Sequence, residues 1–413
     1  MRAVGVRGAA WIGGVNAWGD VFVDGQQRLC WFVAADDRWY RPSRETTVRQ
    51  REISGVPVIE TRIKVPGGDA VQRVYGVANF GGAIVVEIYN DSSLPFAVAF
   101  DRGDIATMRA PSPTGVQGID LPVGSVVLPV GHHATMRAAI LINGDSRQIS
   151  AGELESLPSF EQVERGWLGA LQTASRIDVP EASWSTILTS QRCKLMLSPP
   201  VETDDQVDLI LDRAERVRLG DKAGQWVGDV AIATEQIIKQ CVKDSTISWF
   251  AQRAILAASM LLHRAGESRG KQDIALAWSR LAEAIEITAS ADGADKTVAS
   301  STEFLGSVRQ IAWVESQLVA MRPDGVIEIC PRGIDAAWLG ANFECHKLLA
   351  TPEHLISYAV RWHGDKPALL WEIDGPVGAR VMASAIDRSF VSTDMRGETL
   401  LNGFAQDRSA LLK

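Results

Sequence analysis

Val58-Ile59-Glu60-Thr61-Arg62-Ile63-Lys64-Val65 sets Ile59, Thr61, Ile63 and Val65 against Val58, Glu60, Arg62 and Lys64 at every second position. Successive side chains of a strand point to opposite faces, so this octet predicts a half-buried antiparallel strand. Runs of similar character lie around it at about 20–23, 29–34, 70–77, 83–89 and 96–100. Turn residues separate them. Asp24-Gly25 fits a hairpin turn, and Pro66-Gly67-Gly68-Asp69 and Asn90-Asp91-Ser92 punctuate two more junctions. Many short strands spaced this way predict an N-terminal antiparallel β-sandwich over residues 1–150.

The pattern changes near residue 152. Ser159 followed by Gln162 has the form of a capping box, and Thr203 with Gln206 repeats it. Helices are expected from 159 to about 169 and at about 183–196, 203–219, 225–242, 246–266, 271–289 and 301–321. Trp249, Phe250, Ala254, Ile255, Leu256, Ala258, Met260, Leu261 and Leu262 spread around most of one helix, which predicts a central position for it. Pro323 and Gly325 end the helical pattern. Runs at 326–330, 341–349, 356–362, 368–373 and 380–386 then read as strands. The expected class is an α+β multidomain chain. A β-sandwich (1–150) precedes a helical domain (151–322), either a bundle or a shortened α/α toroid. A β-rich C-terminal module (323–413) follows.

A net charge of −8 repels polyanions, and no dense Lys/Arg run offsets it, so nucleic acid and anionic membranes are not expected partners. No run approaches the ~20 apolar residues of a membrane span. Arg2 and Arg7 mimic a signal peptide, but Gly13, Gly14 and Asn16 break its apolar stretch. A cytoplasmic location is therefore expected. Cys30, Cys193, Cys241, Cys330 and Cys345 form no CxxC pair and read as free thiols in a reducing compartment.

Nucleotide fingerprints are absent, since Gly13-Gly14 and Gly67-Gly68 are turn glycines. His132, His133, His346, His354 and His363 near Asp365 lack HExxH spacing, and adjacent histidines on a strand would face opposite ways. No metal or cofactor is expected. No GxSxG elbow occurs, and neither Cys30 nor Cys193 has a His adjacent in sequence. Paired carboxylates remain. Glycoside hydrolysis needs one protonated carboxyl and a second on the other side of the sugar. Glu235, Glu315, Glu283 and Glu286 sit in apolar helical stretches, where desolvation would raise a pKa. The competing reading for each is a surface charge on an amphipathic helix. Glu235 and Glu315 are the candidate catalytic pair.

Thirteen tryptophans are compatible with stacking on sugars and equally with large cores. Trp226, Trp249, Trp278 and Trp313 recur once per helix, while Trp31, Trp39 and Trp184 are less constrained. Trp226, Trp313 and Trp31 are the candidate substrate contacts. In the tail, Arg361, Trp362, His363 and Trp371 could present a polar and aromatic patch, or belong to a hairpin turning at 363–367.

Val23-Asp24-Gly25, Arg28-Leu29-Cys30-Trp31, Val58-Ile59-Glu60-Thr61 and Val86-Glu87-Ile88-Tyr89-Asn90-Asp91-Ser92 resemble the opening sandwich of six-hairpin glycosidases, the glucoamylase-like enzymes of bacteria. The resemblance covers the first 150 residues in pattern and the rest only in order, and it carries no catalytic glutamate over. It implies a carbohydrate-binding or carbohydrate-active protein, including a shortened or degenerate glycoside hydrolase. Seven expected helices fall short of the twelve of a full toroid, which needs about 190 residues. The alternative is a non-catalytic structural or interaction protein that forms a homo-oligomer. A thiol or metal enzyme is a third option.

Overall fold

Ile59, Thr61, Ile63 and Val65 are buried, as alternation demands of one face. Val58 and Glu60 on the opposite face are buried too, so the first half of this strand is covered on both sides. Arg51, Arg62 and Arg73 surround Glu60 there, as described below. In the computed structural model the described residues are 1–35, 38–110, 121, 123–284, 307–364 and 366–402. Glu286, Asp365, the Glu283 side chain and parts of two expected helices, 285–289 and 301–306, lie outside them.

The described chain forms two compact units, residues 1–169 with 196–198, and residues 170–195 with 199–413. The helices after 170 and the C-terminal strands thus share one unit, where the sequence separates them at 322. Both units mix helix with mainly antiparallel sheet.

Among the described residues thirteen strands open the chain: β1 (Arg2–Gly5), β2 (Ile12–Val15), β3 (Val21–Val23), β4 (Trp31–Ala35), β5 (Arg38–Tyr40), β6 (Arg49–Glu52), β7 (Val58–Val65), β8 (Gly68–Val77), β9 (Ala83–Ser92), β10 (Phe96–Phe100), β11 (Ala106–Thr107), β12 (Val126–Val130) and β13 (Thr135–Leu141). They form sheets of three, four and six strands, in the orders β1-β2-β3, β12-β10-β4-β5 and β11-β13-β9-β8-β7-β6. The two larger sheets bury one shared core. Trp31, Val33, Val98, Phe100 and Leu128 come from the four-stranded sheet, and Ile59, Ile63, Val74, Val86, Ile88 and Ile140 from the six-stranded one. Val65 pairs with Gly68 across Pro66-Gly67, where Gly67 takes φ 78°, a left-handed conformation that glycine adopts freely. At Gly76 a Cβ would meet the Gly5 backbone oxygen at 2.6 Å, so glycine lets β1 lie directly on β8.

Two helices follow, α1 (Ala151–Glu155) and α2 (Phe160–Ala170). Ser159 and Gln162 make the expected reciprocal cap: the Ser159 amide donates to Gln162 Oε1 at 2.8 Å, and the Gln162 amide donates to Ser159 Oγ at 3.4 Å.

The second unit begins with β14 (Arg176–Asp178). Among the described residues six helices come next: α3 (Ala182–Leu197), α4 (Gln206–Arg218), α5 (Val227–Asp244), α6 (Trp249–Arg264), α7 (Ser268–Ala284) and α8 (Arg309–Leu318). The α4 cap differs from the expected one. Asp205 accepts from the Val207 and Asp208 amides, and Thr203 accepts only from the Asp205 amide, because the chain turns two residues later. Helix α6 is central, with Ala254, Ala258 and Leu261 fully buried. Helix α8 ends at Leu318, earlier than expected, because Val319 enters β15 (Val319–Met321). The remaining strands are β16 (Ile327–Ile329), β17 (Phe343–Leu349), β18 (Leu355–His363), β19 (Lys366–Asp374), β20 (Val381–Ala383), β21 (Asp387–Ser392) and β22 (Arg396–Leu400). They make a five-stranded sheet, β14-β17-β18-β19-β22, and a four-stranded one, β15-β16-β20-β21. Ile177 of β14 pairs with Cys345, so a strand preceding the helices completes a sheet formed after them. Among the described residues no helix is long and apolar enough to cross a membrane.

Candidate functional site

One row of side chains crosses the outer face of the six-stranded sheet with alternating charge. Arg51 pairs with Glu60, Glu60 with Arg73, Arg73 with Glu87 and Glu87 with Arg137, each on the next strand and directly opposite. Opposed residues on neighbouring strands sit close enough for their side chains to bond. Arg73 donates through Nε to Glu60 Oε2 at 3.0 Å and through Nη1 to Glu87 Oε1 at 3.3 Å. Arg137 Nε donates to Glu87 Oε2 at 3.1 Å. Its Nη1 donates to the carbonyls of Glu155 and Leu157, tying the row to the α1 end. The Tyr75 hydroxyl lies 3.1 Å from the Pro158 carbonyl and 3.4 Å from Glu87 Oε2.

These contacts set charge states. Burial alone would raise the Glu60 carboxyl, but hydrogen bonds from Arg62 and Arg73 outweigh it and hold the group below its usual range. Burial, with Glu87 adding to it, pushes the Tyr75 hydroxyl up, so it stays a donor at neutral pH.

A cleft of about 700 Å³ opens over this row, with Arg73, Glu87, Tyr89, Arg137, Glu155, Phe160 and Glu161 in its lining. The Arg73 guanidinium lies 4.1 Å from the Phe160 ring centre and 5.7 Å from that of Tyr89. Fixed guanidiniums and carboxylates thus stand beside two aromatic rings. The charged lining residues are two arginines and three glutamates, which leaves no surplus positive charge for a phosphate.

The residues singled out in the sequence lie elsewhere. Glu315 is in the interior of the second unit and 1% exposed. Its Oε1 accepts from Arg192 at 3.0 Å and Arg218 at 2.8 Å, its Oε2 from Arg218 at 2.9 Å, and Ser175 Oγ also donates to it. Burial would raise this carboxyl, but Arg218 and Arg192 prevail and push it down to about 2. That is the reverse of the raised pKa expected from its apolar sequence context. Glu235 is exposed on α5 and paired with Lys239 at 2.6 Å. Trp31 is a core residue, 1% exposed, and its Nε1 donates to the Trp18 carbonyl at 2.9 Å. Trp313 is 5% exposed, with the Trp184 ring 5.7 Å away edge-on. Trp226 is half-buried beneath the Arg213 guanidinium, 4.7 Å from its ring centre. None of these five residues lines the cleft.

His132 and His133 do not sit on a strand. They occupy the turn between β12 and β13, where their rings approach to 3.7 Å, so strand geometry does not separate them. Among the described residues no group of three or more His, Cys, Asp or Glu is placed to hold a metal. All five cysteines are buried, and none is in a disulfide. Burial raises the Cys30 thiol, with Asp101 adding to the effect, which lowers its nucleophilicity at neutral pH.

The sequence did hold a signal for the row. Glu60, Arg73, Glu87 and Arg137 each interrupt a strand-like apolar stretch, and their signs alternate along the chain. Only the pairing register brings them opposite one another. No protein-family model matches the chain, and no curated protein matches it.

Proposed function

We propose that the first unit is a β-sandwich that binds a neutral carbohydrate in the cleft above its charge row, and that the protein is a carbohydrate-binding one. The observation that carries this reading is the preset array of Arg73, Glu87 and Arg137 beside Tyr89 and Phe160 in a cleft of about 700 Å³. Guanidinium and carboxylate groups each offer two parallel bonding atoms, which suits vicinal hydroxyls. Aromatic rings suit the apolar C–H faces of a sugar. Cross-strand pairing holds the polar groups before any ligand arrives, so little ordering entropy remains to be lost on binding. The balance of charges favours a neutral ligand over a phosphorylated one.

Hydrolysis has less support. Glu315 is held ionised by two arginines, and Glu235 is exposed beside a lysine, so neither has the setting of a proton donor. In the second unit, cavities of about 500 and 30 Å³ have no tryptophan in their linings. The larger holds Asp324 and Glu353, but a hydrogen bond from Lys271 keeps Glu353 low. We read the helices of this unit as a bundle. Five buried cysteines without a disulfide suit a reducing compartment, and we place the protein in the cytoplasm on that ground.

The test is a glycan array with a glycosidase panel alongside, run on the wild type, Tyr89→Ala and Phe160→Ala. Binding to neutral glycans without turnover, weakened about 10-fold or more in either variant, is expected; tenfold corresponds to about 1.4 kcal/mol. Absence of glycan binding at millimolar ligand, or hits that both variants retain in full, would sink the reading. The homo-oligomer alternative draws on exposed Ile232 and Val242 of α5 and Leu276 of α7. It predicts a dimer by light scattering, and a monomer at micromolar concentration removes it.

A further inference from the structure

Three loops of the second unit meet two of its helices around a cavity of about 500 Å³. The β15–β16 hairpin supplies Asp324, the β17–β18 turn Glu353 and the β19–β20 connection Arg380, while α6 and α7 bring Ser259 and Lys271. Sites for small molecules have about this volume, and loops carried on a rigid frame are where binding groups concentrate.

The charged lining residues are two of each sign, and only one pair of them meets. Lys271 Nζ donates to Glu353 Oε1, so those two answer each other. His354 is engaged as well, its ring nitrogens against Thr351 Oγ1 at 2.7 Å and the Pro376 carbonyl at 2.9 Å. Asp324 reaches only Arg322, at 3.7 Å, and accepts from the Val326 amide at 3.4 Å. Arg380 makes no ion pair or side-chain hydrogen bond with any described residue. One carboxylate and one guanidinium thus border the same cavity from separate loops without meeting. A second observation lies deeper. Ser259 is 7% exposed, and its hydroxyl has no partner among the described residues. A serine inside a helix can bond the carbonyl one turn back; this one is left to the cavity.

We infer that this cavity binds a small zwitterion with an aliphatic side chain, its carboxylate on Arg380 and its ammonium on Asp324. A free amino acid and a dipeptide share that chemistry. A lining of zero net charge gives no overall attraction to a simple anion or cation, and a ligand with one charge would leave either Asp324 or Arg380 without its counterpart. A zwitterion answers both, through charge-assisted bonds that are stronger than neutral ones. Ala275, Met321, Val326 and Ala379 offer the side chain an apolar surface. The Ser259 hydroxyl, donor and acceptor at once, serves either polar end. The site lies within the second unit and does not depend on the carbohydrate reading.

Isothermal titration of the full chain with L-leucine and with leucyl-leucine tests this. Isoamylamine, which is leucine without its carboxylate, and isocaproate, which is leucine without its amine, are titrated alongside. Binding of at least one zwitterion is expected, weakened about 10-fold or more when either charge is missing. The tighter zwitterion tells a free amino acid from a dipeptide. Arg380→Met should bring its affinity down to that of isoamylamine, and Asp324→Asn down to that of isocaproate. Both side chains are partly in solvent, so neither change opens the core. No binding of either zwitterion at millimolar concentration overturns the inference. So does isoamylamine or isocaproate binding as tightly as the zwitterions, or full affinity kept in both variants. The comparison of ligands needs the wild type alone, so it decides the matter even where a variant fails to fold.

Discussion

Glu315 shows how far surroundings can reverse what a residue type suggests. In the sequence it follows Ile311-Ala312-Trp313-Val314, and such a context points to a desolvated carboxyl with a raised pKa. In the structure two arginines and a serine hydroxyl hold it ionised at about 2, against a usual value of 4.5. A carboxyl lowered on folding adds stability that is complete above its unfolded pKa and is lost as pH falls through the folded one. The contribution of Glu315 should therefore persist above about pH 4.5 and fade towards about pH 2. Glu315→Gln should cost about 3–5 kcal/mol at pH 7, because it strands Arg192 and Arg218. Urea unfolding measures it, and a loss under about 1 kcal/mol would contradict the account. The variant should also show a smaller loss of stability than wild type between pH 4.5 and 2.

The charge row belongs to the scale of elements, since no member of it works without its neighbours on the adjoining strands. Glu60 accepts from Arg62 and Arg73 and pairs with Arg51. Glu60→Gln would leave three guanidiniums around a neutral amide on the outer sheet face. We expect a loss of about 3 kcal/mol, partly recovered at 1 M salt, where the Debye length falls to about 3 Å. Equal losses at low and high salt would show that packing, not charge, is what Glu60 supplies. Strand spacing carries a second expectation. Gly76→Ala sets a Cβ 2.6 Å from the Gly5 oxygen, with Gly5 Cα at 2.8 Å. Overpacking of that kind costs about 1–3 kcal/mol, and hydrogen exchange of β1 amides should accelerate in the variant. Unchanged protection in β1 would mean that the strand has room to shift.

At the scale of the whole molecule, the C-terminal strands complete the second unit. β14 pairs with β17 across the intervening helices, and β15 leads out of α8 to pair with β16. Ending the chain at residue 322 removes those partners together with Leu349, which packs in the helical core. Circular dichroism should then show helix lost along with strand; full retention of helical signal would mean that the helices form a core of their own. Much of the local structure was legible beforehand. Strands at 58–65, 83–89 and 96–100, the Ser159 cap and the central α6 all follow from periodicity and turn chemistry, which act over a few residues. The site was not legible, because its parts are joined across long stretches of chain. Arg73 meets Glu87 only through the register of β8 on β9, and Glu315 meets Ser175 across 140 residues and Arg218 across 97. Alternation and helical period determined which residues are strand, helix and core. Strand register and helix packing alone decided which charges meet, and with that which carboxylates stay ionised.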